Sequence, residues 1–213
     1  MIVRDLGRLA YRAAWALQEE AHIEVVAGGE EQLLLVEHPP VITFGRRPGG
    51  EKHLLAAPQS LSQLGVEVVA SDRGGDITFH GPGQIVAYPI VRLIDHHLSV
   101  GAYVRRLEEI AIATLAEFGI AGRKDESAIG IWVEECNTLA KICALGVRIR
   151  RGVSLHGIAL NVETDLYYFD LIVPCGLAMR PVTSMRKLLG ERSPPIEAVR
   201  IALARQMENA FCR

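Results

Sequence analysis

Residues Arg73 to Tyr88 read RGGDITFHGPGQIVAY. Four glycines, a proline, an arginine, a histidine and a glutamine stand within sixteen residues. Between two glycine-rich turns lies the alternating run Ile77-Thr78-Phe79-His80, and Ile85-Val86-Ala87-Tyr88 follows the second turn. In extended chain, Ile77 and Phe79 project to one side and Thr78 and His80 to the other. One side feeds a core and the other presents polar groups. The glycines permit positive φ or close backbone approach, and Pro82 fixes φ within the turn. Two readings fit equally: an ordinary β-hairpin, or a concave backbone cradle laid against a ligand.

Working outward, the N-terminal side predicts a helix over Gly7 to His22, with Leu6, Leu9, Ala10, Ala13, Ala14 and Leu17 as its stripe. Leu33 to Glu37 and Val41 to Gly45 read as strands divided by Pro39-Pro40. A breaker-rich loop runs from Pro48 to Ser60, with a helical turn at Leu61 to Leu64 and a short strand at Val66 to Ala70. On the C-terminal side a strand continues past Pro89 to Leu93. Ser99 caps a helix that stops at Gly119. Ile129 to Val133 is a strand and Glu134 to Asn137 a turn. Lys141 to Ile149 and Val153 to Val162 form an antiparallel pair about Arg150-Arg151-Gly152. Tyr167 to Val173 is a short apolar run leading, at a strand end, into Pro174-Cys175-Gly176. Ser193-Pro194-Pro195 opens a last helix. Strands outnumber helices without regular alternation. The expected class is therefore α/β (α+β), with a mixed, largely antiparallel sheet flanked by helices.

The chain has 213 residues, of which 49% are hydrophobic and 23% charged. That is the profile of one soluble domain, expected to span residues 1–213. A net charge of −2 gives no general reason to bind nucleic acid. Four cysteines form no CxxC pair, so neither a zinc site nor a disulfide framework is expected, and reduced thiols point to the cytoplasm. No apolar run reaches the roughly 20 residues of a membrane span, and no signal or transit peptide is evident.

Cys175, between Pro174 and Gly176, is a candidate nucleophile. Cys136, Cys143 and Cys212 read as structural or merely exposed thiols. Lys141 opens an otherwise apolar strand, and lies either at the sheet edge or, facing inward, beside a thiol. A free thiol titrates near 8.5, and lowering it by about two units takes roughly 2.7 kcal/mol. An ammonium about 4 Å away at an effective dielectric near 20 offers on the order of 4 kcal/mol. One lysine therefore suffices to activate one cysteine. His80 and His156 are alternative bases, each set against a structural role. The histidines at 38, 53, 96 and 97 show no metal-site spacing.

With RGGDITFHGPGQ, Lys141 to Gly146 (KICALG), Ser154 to Asn161 (SLHGIALN) and Pro174-Cys175-Gly176 in view, the chain resembles the lipoyl (octanoyl) transferases, which are similar in fold to lipoate and biotin protein ligases. The motifs fall in family order across about Leu33 to Met185. The resemblance implies an acyltransferase that moves an octanoyl group from octanoyl-acyl carrier protein to a lysine of lipoyl domains, the first step of endogenous protein lipoylation. The acceptors would be 2-oxoacid dehydrogenase complexes and the glycine cleavage H protein. By the same resemblance Cys175 carries the acyl thioester and Lys141 activates it. The acyl pocket would be lined by Arg73, Gly74, Gly75, Asp76, Ile77, Thr78, Phe79 and His80, by Ala144, Leu145 and Gly146, and by Gly157, Ile158 and Ala159. No cofactor, metal, nucleic acid or membrane is implied. Three rivals stand beside it: an ATP-dependent ligase, a non-catalytic acyl- or carrier-binding module, and a nucleic-acid binder using Arg148, Arg150 and Arg151. Those arginines otherwise form a solvated hairpin tip or meet the acidic carrier.

Overall fold

The computed structural model describes residues 1–173 and 180–211. Nine strands, β1 (Ile2–Arg8), β2 (Gln32–Glu37), β3 (Val41–Phe44), β4 (Glu67–Ala70), β5 (Ile77–His80), β6 (Gln84–Ile90), β7 (Ile131–Glu135), β8 (Thr138–Arg150) and β9 (Val153–Asn161), lie among the described residues. They form a six-stranded sheet in the order β1-β2-β6-β9-β8-β7 and a three-stranded sheet in the order β4-β3-β5. The helices are α1 (Tyr11–Val26), α2 (Pro58–Gln63), α3 (Val100–Ala116), α4 (Met185–Leu189) and α5 (Ile196–Phe211). Only β1/β2 and β3/β4 pair in parallel. In each case a helix, α1 or α2, makes the crossover that parallel neighbours require. The sheet is thus mixed and largely antiparallel, as the sequence indicated.

The hairpin reading of Arg73–Tyr88 is overturned. β5 pairs with β3 in the small sheet, whereas β6 pairs with β2 and β9 in the large one. Gly81-Pro82-Gly83 is a crossing between sheets. A Cβ at Gly83, whose φ is +78°, would lie 2.6 Å from the Glu163 carbonyl carbon, so the crossing needs glycine there.

The run Leu33-Leu34-Leu35-Val36 shows why β2 carries no alternation. Leu33 and Leu35 join the core under α3 and α5, and Leu34 and Val36 join the core under α1. Both faces are covered, so every residue is apolar. Each such leucine contributes roughly 1.5–3 kcal/mol by burial. A third cluster, including Ile42, Leu61, Ile77, Phe79 and Phe169, fills the underside of the small sheet.

Several local expectations change. The N-terminal helix begins at Tyr11, and Gly7 and Arg8, expected to open it, instead end the exposed edge strand β1. Its buried stripe is Tyr11, Ala14, Gln18, Ala21, His22 and Val25, whereas Ala13 is exposed. The strand after Pro89 ends at Ile90. Leu166–Leu171 is 3₁₀ helix rather than strand. The cap at Ser99 is present, its hydroxyl accepting from Ala102 N at 3.2 Å, and Gly119 (φ +75°) follows the helix end. No helix among the described residues is long and apolar enough to cross a membrane.

Candidate functional site

The α1-facing side of β8 and β9 carries unusually small residues in register. Ala144 lies opposite Ala159, and Gly146 opposite Gly157. A Cβ at Gly157 would meet Ala87 O at 2.1 Å, and one at Gly146 would meet Gly74 O at 2.9 Å. The loop before β5 can approach only because side chains are missing: Gly74 N donates to Val147 O at 3.0 Å. The result is a narrow inner cavity of about 40 Å³ opening towards a cleft of about 740 Å³.

The inner cavity is lined by Arg73, Gly75, Asp76, Ile77, Thr78, His80, Lys141, Ala144, Leu145, Gly146, Gly157, Ile158 and Ala159. Gly74 lines the cleft. Phe79 is a correction: it lines neither, and stacks on Tyr168 (4.7 Å between ring centroids) in the core of the small sheet. Alternation had already sent it there, opposite to Thr78 and His80. Cys175 and Cys212 lie outside the described residues.

Lys141 is not at an edge. It is 6% exposed, and β8 runs between β7 and β9. Its amine donates to Ile129 O at 3.2 Å and lies 4.7 Å from the Trp132 ring centroid, a cation–π geometry. Gly130 makes room, since a Cβ there would sit 3.0 Å from Lys141 Cε. The segment from Arg180 to Ser184 runs alongside: Lys141 N donates to Pro181 O, and Thr183 N to Lys141 O, both at 2.9 Å. Cys143, by contrast, is fully buried and its thiol is pushed up to about 12 by desolvation, so it is no nucleophile. Cys136 is exposed at the β7–β8 turn.

His80 belongs to a buried chain of hydrogen bonds rather than to a free base. Its Nδ1 meets Gln84 Oε1 at 2.8 Å, Gln84 Nε2 donates to Asn161 Oδ1 at 2.9 Å, and Asn161 Nδ2 donates to Thr183 O at 3.0 Å. Desolvation holds its pKa well below the usual imidazole range. The chain thus ends on the segment that flanks Lys141.

His156 carries a backbone outlier. By alternation along β9 it should share the face of Ile158 and Leu160, which pack under α3 and α5. Its ring is instead near Trp15 (5.9 Å) and Tyr88 (6.2 Å) on the α1 side. A φ of +58° turns it. Such a conformation in a buried non-glycine residue costs on the order of 1–3 kcal/mol and persists only where the surroundings enforce it. Here Nε2–H donates to Asp72 Oδ1 at 2.6 Å, and Gln18 Oε1 accepts from the His156 backbone N–H at 2.8 Å. Nδ1 is buried with no hydrogen-bond partner among the described residues. Burial raises the Asp72 pKa, but hydrogen bonding and charge from His156 and Arg148 outweigh it and leave the carboxyl below its ordinary value.

The arginines of the β8–β9 hairpin are not a solvated tip. Arg148 is paired with Asp72, and Arg150 with Glu19 of α1. Of the three, only Arg151 is exposed. The sequence reading missed Tyr11, Val86 and Tyr88 as lining residues. Tyr11 comes from α1, whereas Val86 and Tyr88 stand on β6 at the end of the Arg73–Tyr88 stretch, where their alternation was in view but the cavity they face was not. No group of three or more His, Cys, Asp or Glu among the described residues could hold a metal ion.

The lipoyl protein ligase A/B catalytic domain profile matches residues 10–208. An octanoyltransferase of Chloroflexus aurantiacus is 47% identical over 213 residues, covering 99% of this chain and 94% of that protein. One of Roseiflexus sp. is 49% identical over 193 residues, covering 90% of this chain and 79% of the relative. Among solved structures, a bipartite lipoate protein ligase from Thermoplasma acidophilum, studied with its E2 lipoyl domain, is similar in fold. It has a TM-score of 0.76 at 17% identity, covering 99% of this chain and 83% of that one. Biotin protein ligase from Aquifex aeolicus gives 0.55 at 10% identity, covering 99% and 68%.

Proposed function

Because the chain belongs to the lipoyl protein ligase A/B catalytic domain family, we propose that it is an octanoyltransferase. It takes the octanoyl group from acyl carrier protein onto Cys175 and delivers it to a lysine of a lipoyl domain. It acts as a single catalytic domain in the cytoplasm. Identity of 47% to relatives named octanoyltransferase supports the reaction class. The lipoyl domain studied with the Thermoplasma ligase supports the class of acceptor. The observation that carries the reading in this chain is a buried lysine, Lys141, lining both the inner cavity and the cleft beyond it.

The chemistry runs in two exchanges. Lys141 takes the Cys175 proton, and the thiolate adds to the carbonyl of the donor thioester. The tetrahedral oxyanion collapses, the carbon–sulfur bond to the carrier breaks, and the carrier thiol leaves with the proton from Lys141. The octanoyl–Cys175 thioester then meets the acceptor amine. A carbon–nitrogen bond forms, the thioester breaks, and the proton lost by nitrogen returns through Lys141 to the Cys175 sulfur. One thioester is exchanged for another and then for an amide, so no nucleotide is consumed. Arg73 to Thr78, His80, Ala144 to Gly146 and Gly157 to Ala159 hold the acyl chain.

The test is intact mass after mixing the protein with octanoyl-acyl carrier protein without ATP, for wild type and Cys175→Ala. The expected result is an octanoyl adduct on wild type, absent from the variant and discharged by a lipoyl domain. Transfer that appears only with ATP and free octanoate would replace this reading with the ligase reaction of the family's adenylate-forming members.

A further inference from the structure

Arg46 and Arg47 line the cleft of about 740 Å³ together with Lys141. Both are exposed, and among the described residues neither side chain forms an ion pair or a hydrogen bond. The hairpin arginines differ, since Arg148 is held by Asp72 and Arg150 by Glu19. Backbone bonds fix where the free pair stands. Arg46 N donates to Arg73 O and Arg47 N to Gly75 O, both at 3.0 Å, so the two guanidinium groups are tethered to the glycine-rich stretch that lines the inner cavity. Asp76, the one acid among the described residues lining the cleft, is buried, with Oδ2 2.8 Å from His53 Nδ1. The cleft therefore carries positive charge that no carboxylate beside the arginines offsets. A neutral acyl chain and its thioester give no reason for that charge. The donor's arm does: phosphopantetheine joins the thioester to its carrier through a phosphodiester. From sulfur to phosphorus the arm spans roughly 16 Å, from bonds of about 1.5 Å. Arg46 is bonded to Arg73, and Gly74 to Val147, so the pair stands towards the Val147 end of β8. Six residues of strand separate Val147 from Lys141, roughly 20 Å at the usual rise. The lysine side chain takes up part of that distance, and the arm covers the rest.

We propose that Arg46 and Arg47 form the subsite for the phosphate of the donor's phosphopantetheine arm. The inference rests on the acyl-transfer reading above. A guanidinium group stays charged at any working pH, and its planar fork matches two phosphate oxygens at once. Two adjacent forks on a short tethered segment can close on one phosphate from two sides. Anchoring the phosphate leaves the thioester at a fixed reach, which raises its local concentration beside Lys141. The subsite reads the arm and not the surface of its carrier. Because both arginines are exposed, the contact is screened by salt.

The test is the rate of octanoyl loading, read by intact mass without an acceptor, from three donors: octanoyl-pantetheine, octanoyl-4′-phosphopantetheine and octanoyl-acyl carrier protein. The proteins are wild type, the double variant Arg46→Ala with Arg47→Ala, and the double variant Arg46→Lys with Arg47→Lys. Wild type should load from the phosphorylated arm about tenfold faster than from the unphosphorylated one, and less so as salt rises. The alanine variant should bring that ratio close to one, and the lysine variant should keep part of it. A ratio between two donors on one protein does not depend on the fraction folded, so a loss of stability would not mimic the result. A wild type that loads equally from both small donors, or from the carrier protein alone, overturns the phosphate subsite and leaves acyl transfer standing. So does an alanine variant that keeps the wild-type ratio. If that variant also slows only with the carrier-borne donor, the arginines meet the carrier's surface instead. A wild type that loads from none of the three donors overturns acyl transfer, and this assignment with it.

Discussion

At the scale of single residues, the site depends on what surrounds a side chain more than on its type. Cys143 and Lys141 sit two positions apart on one strand, yet the first is an inert thiol, pushed up to about 12 by burial. The second lies where its amine meets a carbonyl, an indole face and the cavity. If Lys141 activates Cys175, Lys141→Ala should slow alkylation of Cys175 at neutral pH by on the order of tenfold. The midpoint of its pH profile should rise towards about 8.5. Site-resolved mass spectrometry with iodoacetamide gives both, because exposed Cys136 serves as an internal reference. Identical profiles for variant and wild type would remove Lys141 from that role. Lys141, Arg73 and the glycines were legible because their neighbours form motifs. Phe79 was misassigned because a contiguous motif was taken as a contiguous lining, although its own alternation pointed to the core.

At the scale of elements, the two tight hairpins were legible and the crossing was not. The β7–β8 and β8–β9 connections are two-residue turns, with positive φ at Cys136 (+50°) and Asn137 (+62°), and at Arg151 (+51°) and Gly152 (+76°). Such turns match strand twist and favour Asn-Gly. Arg151 is exposed and therefore bears a left-handed conformation with no role in the cavity. Arg151→Asn is expected to stabilise the protein by about 0.5–1 kcal/mol, seen as a higher denaturation midpoint at unchanged slope. No change, or a loss, would mean that the arginine side chain offsets its backbone cost. β5 and β6 resemble a hairpin just as closely, but each finds a better partner in a different sheet, and local spacing carries no information about that choice. β1 escaped notice for a similar reason. It is a largely exposed edge strand, without the alternation that burial imposes.

At the scale of the whole molecule, the cavity is held by a buried polar wall whose rings are neutral in the fold. Desolvation lowers His38 to about 4, and its Nδ1–H donates to Leu9 O at 2.7 Å while Nε2 accepts from Tyr88 OH at 2.8 Å. His80 is shifted in the same direction by burial. A histidine with a depressed folded pKa binds its proton in the unfolded chain first. Its stabilisation is therefore complete above about 6.5 and is lost as pH falls towards 4. For His38 alone this amounts to on the order of 3 kcal/mol. The unfolding temperature should drop steeply between pH 6.5 and pH 4, and less steeply in His38→Gln. An equal slope in the two proteins would assign acid sensitivity to other groups. By itself, the sequence determined the class of fold and the antiparallel pair β8–β9, and it marked the residues proposed to carry acyl chemistry. Periodicity, turn residues and motif order are local properties, and all three were plainly written. Tertiary structure alone decided that Arg73–Tyr88 bridges two sheets, that Lys141 is interior, that Arg148 and Arg150 are paired, and that Tyr11, Tyr88 and His156 face one cavity. Those outcomes depend on which distant surfaces bury each other, and the competition among them is settled only when the whole chain packs.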